Sequence, residues 1–266
     1  SWTTAFNIAF NRNKVLELGG EEYKEMAEGD GHLKTGSVRR LIVGEPIGVF
    51  YGYRFDGIFQ NEEECKQQTS SASPIGVGLR RYKDLNGDGK VDAANDREIL
   101  GDANPKFFGG LTNTFAYKGF ELNVFLQYSY GNKILNYNAM ELENPTGGQN
   151  AYADMVNRWT PENPSNIYPK ATTNRALLVS DRFIEDGSYL KLKTLSLSYS
   201  FPKINLKHIQ GLRLYVTGQN LLTWTKYRGY DPEVSYRGAS TLEAGEDFGG
   251  YPQSRTFMFG IKLDIK

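Results

Sequence analysis

Phe120, Leu122, Val124, Leu126, Tyr128 and Tyr130 occupy alternate positions of one run, and Glu121, Asn123, Phe125, Gln127 and Ser129 fill the positions between them. Successive side chains of an extended backbone point to opposite faces, so this run dictates a long strand with one apolar and one polar side, broken only by Phe125. The design recurs in three other places. Phe257, Phe259, Ile261, Leu263 and Ile265 alternate with Thr256, Met258, Gly260, Lys262 and Asp264. Leu195, Leu197, Tyr199 and Phe201 alternate with Thr194, Ser196, Ser198 and Ser200, and Trp2, Thr4, Phe6, Ile8 and Phe10 with Thr3, Ala5, Asn7, Ala9 and Asn11. Segments 106–118 and 211–226 read as strands with less clean faces.

Strands of about 11 to 13 residues are twice the usual globular length of about 5 or 6. A tilted strand that crosses a bilayer needs about 9 to 11, so the length fits a membrane barrel. The connections alternate as well. Lys118-Gly119 and the stretch 202–210 are short, whereas 132–187 and 227–253 are long, the asymmetry of periplasmic turns and extracellular loops. Counting back from a descending last strand, segment 2–13 must ascend, which makes residues 14–105 one extracellular excursion. Six spanning strands fall below the minimum of about 8 for a closed single-chain barrel, and open edges in lipid leave backbone groups unpaired. The expected fold is therefore all-β: about six antiparallel transmembrane strands across residues 1–266, part of a larger barrel, with long extracellular loops.

Composition removes other classes. No apolar run approaches the roughly 18 residues of a membrane helix. Lys+Arg and Asp+Glu are 31 each, so no net field exists to hold nucleic acid. The 17 Tyr, 15 Phe, 3 Trp and 29 Gly favour pleated surfaces joined by irregular connections. The single Cys65 forms no internal disulfide or Cys-based zinc site, and His32 and His208 read as solvated loop residues. The first residues carry no visible signal peptide. No paired-carboxylate or nucleophile constellation points to an enzyme.

One segment carries recognisable chemistry. Asp84, Asn86, Asp88, the Lys90 carbonyl and Asp92 fall at the first, third, fifth, seventh and ninth positions of a calcium-type loop, with Gly89 at the sixth where the chain must turn sharply. The twelfth position is Asn95, and a carboxylate, Asp96, follows one residue late. An Asp/Asn/Gly-rich turn without metal is the alternative. Trp2, Tyr128, Tyr130 and Trp224 suit interfacial aromatic girdles. Trp224 and Tyr227 near a loop base offer the lesser option of stacking on a sugar. Tyr152, Met155, Val156 and Trp159 share the apolar face of a short loop helix, and Glu62-Glu63-Glu64 reads as a solvated turn.

Several segments taken in order resemble the C-terminal end of the SusC/RagA family of TonB-dependent outer-membrane transporters. They include Asn7-Ile8-Ala9-Phe10-Asn11-Arg12-Asn13, Gly48-Val49-Phe50-Tyr51-Gly52-Tyr53, Asp84-Leu85-Asn86-Gly87-Asp88-Gly89, Asn104-Pro105-Lys106-Phe107-Phe108-Gly109-Gly110, Gly218-Gln219-Asn220-Leu221, Gly229-Tyr230-Asp231-Pro232-Glu233 and Tyr251-Pro252-Gln253-Ser254-Arg255. The resemblance implies a barrel of about 22 strands around an N-terminal plug that this sequence lacks. It implies residence in the outer membrane of a Gram-negative bacterium and import of oligosaccharides or peptides. TonB would supply energy through the plug, and a SusD-like surface lipoprotein would close the mouth. The final Asp264-Ile265-Lys266 departs from the aromatic ending common in such barrels. A competing expectation is a secreted soluble β-sandwich that binds glycans and carries a calcium loop.

Overall fold

A computed structural model describes residues 1–26, 29, 31–33, 35–144, 150–173, 177–202, 208–238 and 240–265. Six long strands make one sheet: β1 (Trp2–Ala9), β2 (Phe107–Tyr117), β3 (Phe120–Tyr130), β4 (Tyr189–Ser200), β5 (Ile209–Thr225) and β6 (Thr256–Ile265). They lie in sequence order, each antiparallel to the next. Within the short connection 202–210, residues 203–207 lie outside the described residues, as does Lys266.

Register turns the alternation of each strand into two continuous faces. Leu122 stands opposite Phe115 on β2 and Leu197 on β4, and Val124 opposite Leu195. Val216, Leu214 and Leu212 then meet Phe259, Ile261 and Leu263. On the other face Asn123 lies between Thr114 and Ser196, and Ser196 faces Thr217. The apolar face is uncovered; Phe259 is 82% exposed. A β-sandwich would bury that face against a second sheet, so the soluble-module expectation fails here.

Aromatic residues collect at both ends of the apolar face. Trp2 stacks on Phe115 at 5.7 Å and Phe120 packs against Tyr199 at 4.5 Å near one end. Phe107 packs on Tyr130 at 5.0 Å and on Tyr128 at 6.1 Å near the other. From Phe120 to Tyr130 the strand rises about 34 Å, which a tilt of about 40° reduces to about 26 Å, the height of an outer-membrane apolar band. The polar exception on this face is satisfied locally: Asn113 Oδ1 accepts from Trp2 Nε1 at 3.0 Å and Thr4 Oγ1 at 2.7 Å.

The connections sort by end. Lys118 and Gly119, with φ of 46° and 87°, make the two-residue turn whose twist matches a hairpin. At the same end the chain passes from β4 to β5. The three long connections all leave from the opposite end, because β1 pairs Ala9 with Phe108 and so returns beside its own exit. These connections carry a hydrophobic core of their own. Leu33, Val38 and Phe50 from the first pack with Leu135, Tyr137, Met140, Val179 and Phe183 from the second, and Phe248 of the third lies against them. A smaller cluster joins Tyr53, Tyr82 and Val91.

Three local expectations need correction. Glu62–Gln67 is a helical turn and not an irregular one, because Asn61 accepts the Glu64 amide at 2.9 Å while Glu64 accepts the Gln60 amide at 3.0 Å. Its three acidic residues sit at the end that favours negative charge. The helix over Ala153–Asn157 exists but is 3-10, so its faces eclipse every third residue: Met155 is buried and Val156 is 76% exposed. Tyr227, offered as a stacking platform, is buried with its hydroxyl on Asp247, so it presents no ring to a sugar.

Candidate functional site

The polar face of the sheet, together with the connection that folds onto it, gathers charged and hydrogen-bonding side chains. Near the short-turn end its side chains bond across strands. Arg213 Nη2 donates to Glu121 at 2.6 Å and to Ser198 at 2.7 Å, Asn123 donates to Thr114 at 2.9 Å, and Ser196 and Thr217 share a bond of 2.7 Å. Arg213 and Glu121 are about 40% exposed, so water reaches this pair, while Ser198 beneath them is buried.

At the long-connection end the third connection turns inward and docks on the same face. Lys191 Nζ, on β4, donates to Asp231 at 2.5 Å and to Glu233 at 2.6 Å, and Lys193 donates to Glu233 at 2.7 Å. Gln127 Nε2 and the Tyr189 hydroxyl complete the Glu233 shell at 3.0 and 3.2 Å. The Glu233 amide and the Gln253 amide bond Asp231 at 2.8 and 3.3 Å, which ties the connection to itself. Lys191 is only 2% exposed. Burial pushes the Glu233 carboxyl up, but the hydrogen bonds from Lys191 and Lys193 outweigh it and hold the group below its ordinary value.

Further ion pairs, most of them buried on at least one side, join the connections to one another. Arg39 Nε donates to Glu246 at 2.9 Å with both side chains buried, while its Nη1 donates to the Gly48 carbonyl at 2.6 Å and its Nη2 to that of Ala244. Glu143 is held by Arg182 at 2.7 Å and by Arg228 at 2.8 Å, and Arg228 also reaches Glu185 at 2.8 Å. Burial and the Asp247 carboxylate push the Tyr227 hydroxyl far above its ordinary value. Periodicity reveals none of these pairs, because the partners lie far apart in sequence.

The loop 84–96 is closed by its own carboxylates. Asp84 accepts the Gly87 and Gly89 amides, each at 2.7 Å, and both glycines have positive φ. Asp88 accepts the Lys90 amide at 2.8 Å and the Asn86 side chain at 3.0 Å. Asp92 accepts the Asn95 amide at 2.9 Å and pairs with Lys90 at 3.2 Å, which holds its carboxyl below the ordinary value. Asp96 is fully buried and clasps the Leu85 and Asp92 amides at 2.8 and 2.7 Å, while Asn95 points to solvent. Among the described residues no three Asp, Glu, His or Cys side chains gather as a metal-binding group.

Comparison with known proteins follows the same lines. No family model matches the chain. TonB-dependent receptor P3 of Formosa agariphila is 38% identical over 269 residues, which cover 99% of this chain and 26% of that protein. TonB-dependent receptor SusC of Bacteroides thetaiotaomicron is 26% identical over 277 residues, covering 100% of this chain and 24% of that protein. The solved structure of the RagAB peptide importer in the 'open-open' state has the same fold, with a TM-score of 0.75 at 24% identity over 98% of this chain and 26% of that one. The chain spans about a quarter of the length of the relatives it matches. With six long strands in one two-faced sheet, and similarity that runs from end to end, the chain resembles a stretch of the barrel of TonB-dependent receptors such as P3 and SusC.

Proposed function

We propose that the chain is part of an outer-membrane active transporter that imports oligosaccharides or peptides, energised through TonB and served by a SusD-like surface lipoprotein. The observation that supports this reading is the docking of residues 231–233 on the polar face, a fixed, charged connection that would lie within the lumen of a completed barrel. The long-connection end is then extracellular and the short-turn end periplasmic. Free edges on β1 and β6 are completed by further barrel strands, since lipid leaves no other partner for their backbone groups. Uptake of labelled oligosaccharides and peptides by cells producing the whole transporter tests the reading. Uptake should vanish with an uncoupler and with loss of the surface lipoprotein. Unchanged uptake in cells lacking the transporter would overturn it.

We also propose that loop 84–96 takes calcium. The donor set is all oxygen, as a hard cation requires: Asp84, Asn86, Asp88 and the Lys90 carbonyl, with Asp92 and Asp96 closing the loop. Each carboxylate oxygen that accepts one amide keeps a lone pair. An extracellular calcium module works with a dissociation constant of about 10⁻⁴ to 10⁻³ M. Calorimetry on the complete transporter should give heat at millimolar calcium, lost in Asp84→Ala and Asp88→Ala and kept in Asn95→Ala. Absence of heat in the unaltered protein leaves a polar turn.

A further inference from the structure

A guanidinium sits inside the packed connections with no carboxylate of its own among the described residues. Arg80 lies on the short strand Arg80–Tyr82 of the first long connection and is only 8% exposed. Its Nη2 donates to the Glu143 backbone carbonyl at 3.1 Å, and its charge lies 5.4 Å from the Phe183 ring centre. Among the described residues its Nε has no hydrogen-bond partner, and the hydroxyl of Tyr82, which is 2% exposed, finds no acceptor. A buried donor left unmade costs about 1 to 3 kcal/mol, more when charged. Two such groups two residues apart call for an occupant.

Both residues line a cavity of about 30 Å³, together with Ser73 and Asn144 on the polar side and Pro74 and Leu79 on the apolar side. A water needs about 10 to 15 Å³ measured this way, so the space holds one or two waters or a single small ion. Charge decides between them. Arg80, Arg182 and Arg228 surround Glu143, but the carboxylates in the group are only Glu143 and Glu185, and Arg182 and Arg228 occupy both Glu143 oxygens. Arg80 is thus the guanidinium of this group that touches no carboxylate among the described residues. The nearby Asp181 is committed elsewhere, to Arg54 at 3.3 Å and to the Phe55 amide at 2.8 Å. Burial accordingly pushes the Arg80 guanidinium below its ordinary value.

We infer that the cavity beside Arg80 and Tyr82 binds a small inorganic anion, chloride being the abundant one outside a cell, which accepts the Arg80 Nε–H and the Tyr82 O–H. The anion gives Arg80 the contacting counter-charge that no described carboxylate supplies, and joins the first long connection to the residues that follow the helical turn Tyr137–Leu142 in the second. It leaves the polar face untouched, so it orders the connections without taking part in solute binding.

Bromide is the probe. Crystals of the complete transporter soaked in sodium bromide should show an anomalous peak within hydrogen-bond reach of Arg80 Nε and the Tyr82 hydroxyl. In solution, amide exchange around residues 80–82 and 143–144 should slow about tenfold when chloride exceeds its dissociation constant tenfold, against gluconate at equal ionic strength. Arg80→Met should abolish that anion dependence. Tyr82→Phe, which removes one donor only, should weaken it. Density without anomalous signal, together with exchange rates equal in chloride and gluconate, would mean that the cavity holds water only and would overturn the inference. The bromide result stands even if Arg80→Met fails to fold.

Discussion

Val124→Arg is expected to cost about 2 to 4 kcal/mol of stability in a bilayer, because it places a guanidinium near the middle of the apolar band. Val124 faces away from the polar side, between Leu195 on β4 and Asn113 on β2. The nearest acceptor, Asn113 Oδ1, already takes bonds from Trp2 and Thr4 and has no lone pair to offer. Asn123→Arg, one position along, points into the aqueous side and should lose only about 1 kcal/mol, roughly its bond to Thr114. Urea unfolding of the complete transporter in lipid vesicles measures both. Equal losses would show that the two faces have been assigned wrongly.

Lys191→Met should have the other large effect. It removes the buried cation between Asp231 and Glu233; Lys193 still reaches Glu233, but Asp231 is left charged without a counter-charge. Breaking a buried pair from one side costs about 3 to 5 kcal/mol. The loss should appear locally, as faster amide exchange and proteolysis within 227–253, while the sheet stays intact. Adding Asp231→Asn should recover part of it. The pH dependence has a fixed sign. The folded protein holds the Glu233 carboxyl below its ordinary value, so this contribution is complete above the unfolded value of about 4.3 and is lost as pH falls through the folded one. The unaltered protein should therefore open this connection in acid, and Lys191→Met should show little further opening there. Unchanged protection at neutral pH in Lys191→Met would mean that the connection is held by something else.

The six long strands and their two faces were legible because lipid on one side and water on the other impose a strict period of two on every spanning strand. The contrast between Leu122, Val124, Leu126 and Glu121, Asn123, Gln127 reads directly as geometry. The connections obey no such rule. Lys191 lies on an alternating strand and reads as one more polar position; only the return of a segment 40 residues later makes it a buried anchor. Arg39 and Glu246 are 207 residues apart, beyond any periodic signal. Asn61 followed by Glu64 was a usable sign of a helix start, and the acidic triplet masked it. In the loop 84–96, spacing marks a tight oxygen-rich turn and leaves open which of Asn95 and Asp96 closes it. It is Asp96 that closes the turn, by accepting the Leu85 and Asp92 amides.

That the long connections hold their own hydrophobic clusters bears on the order of assembly. The sheet gains its stability when its apolar face leaves water, whereas Phe50, Leu135, Met140 and Phe183 gain theirs only by meeting one another on the far side of the membrane. The two events cannot be simultaneous. Segments of up to about a hundred residues must cross with their apolar side chains still apart, and so must travel as open chain. With the orientation proposed above, membrane insertion would come first and the extracellular body would condense afterwards, exposed to proteases for an interval that the barrel wall never experiences.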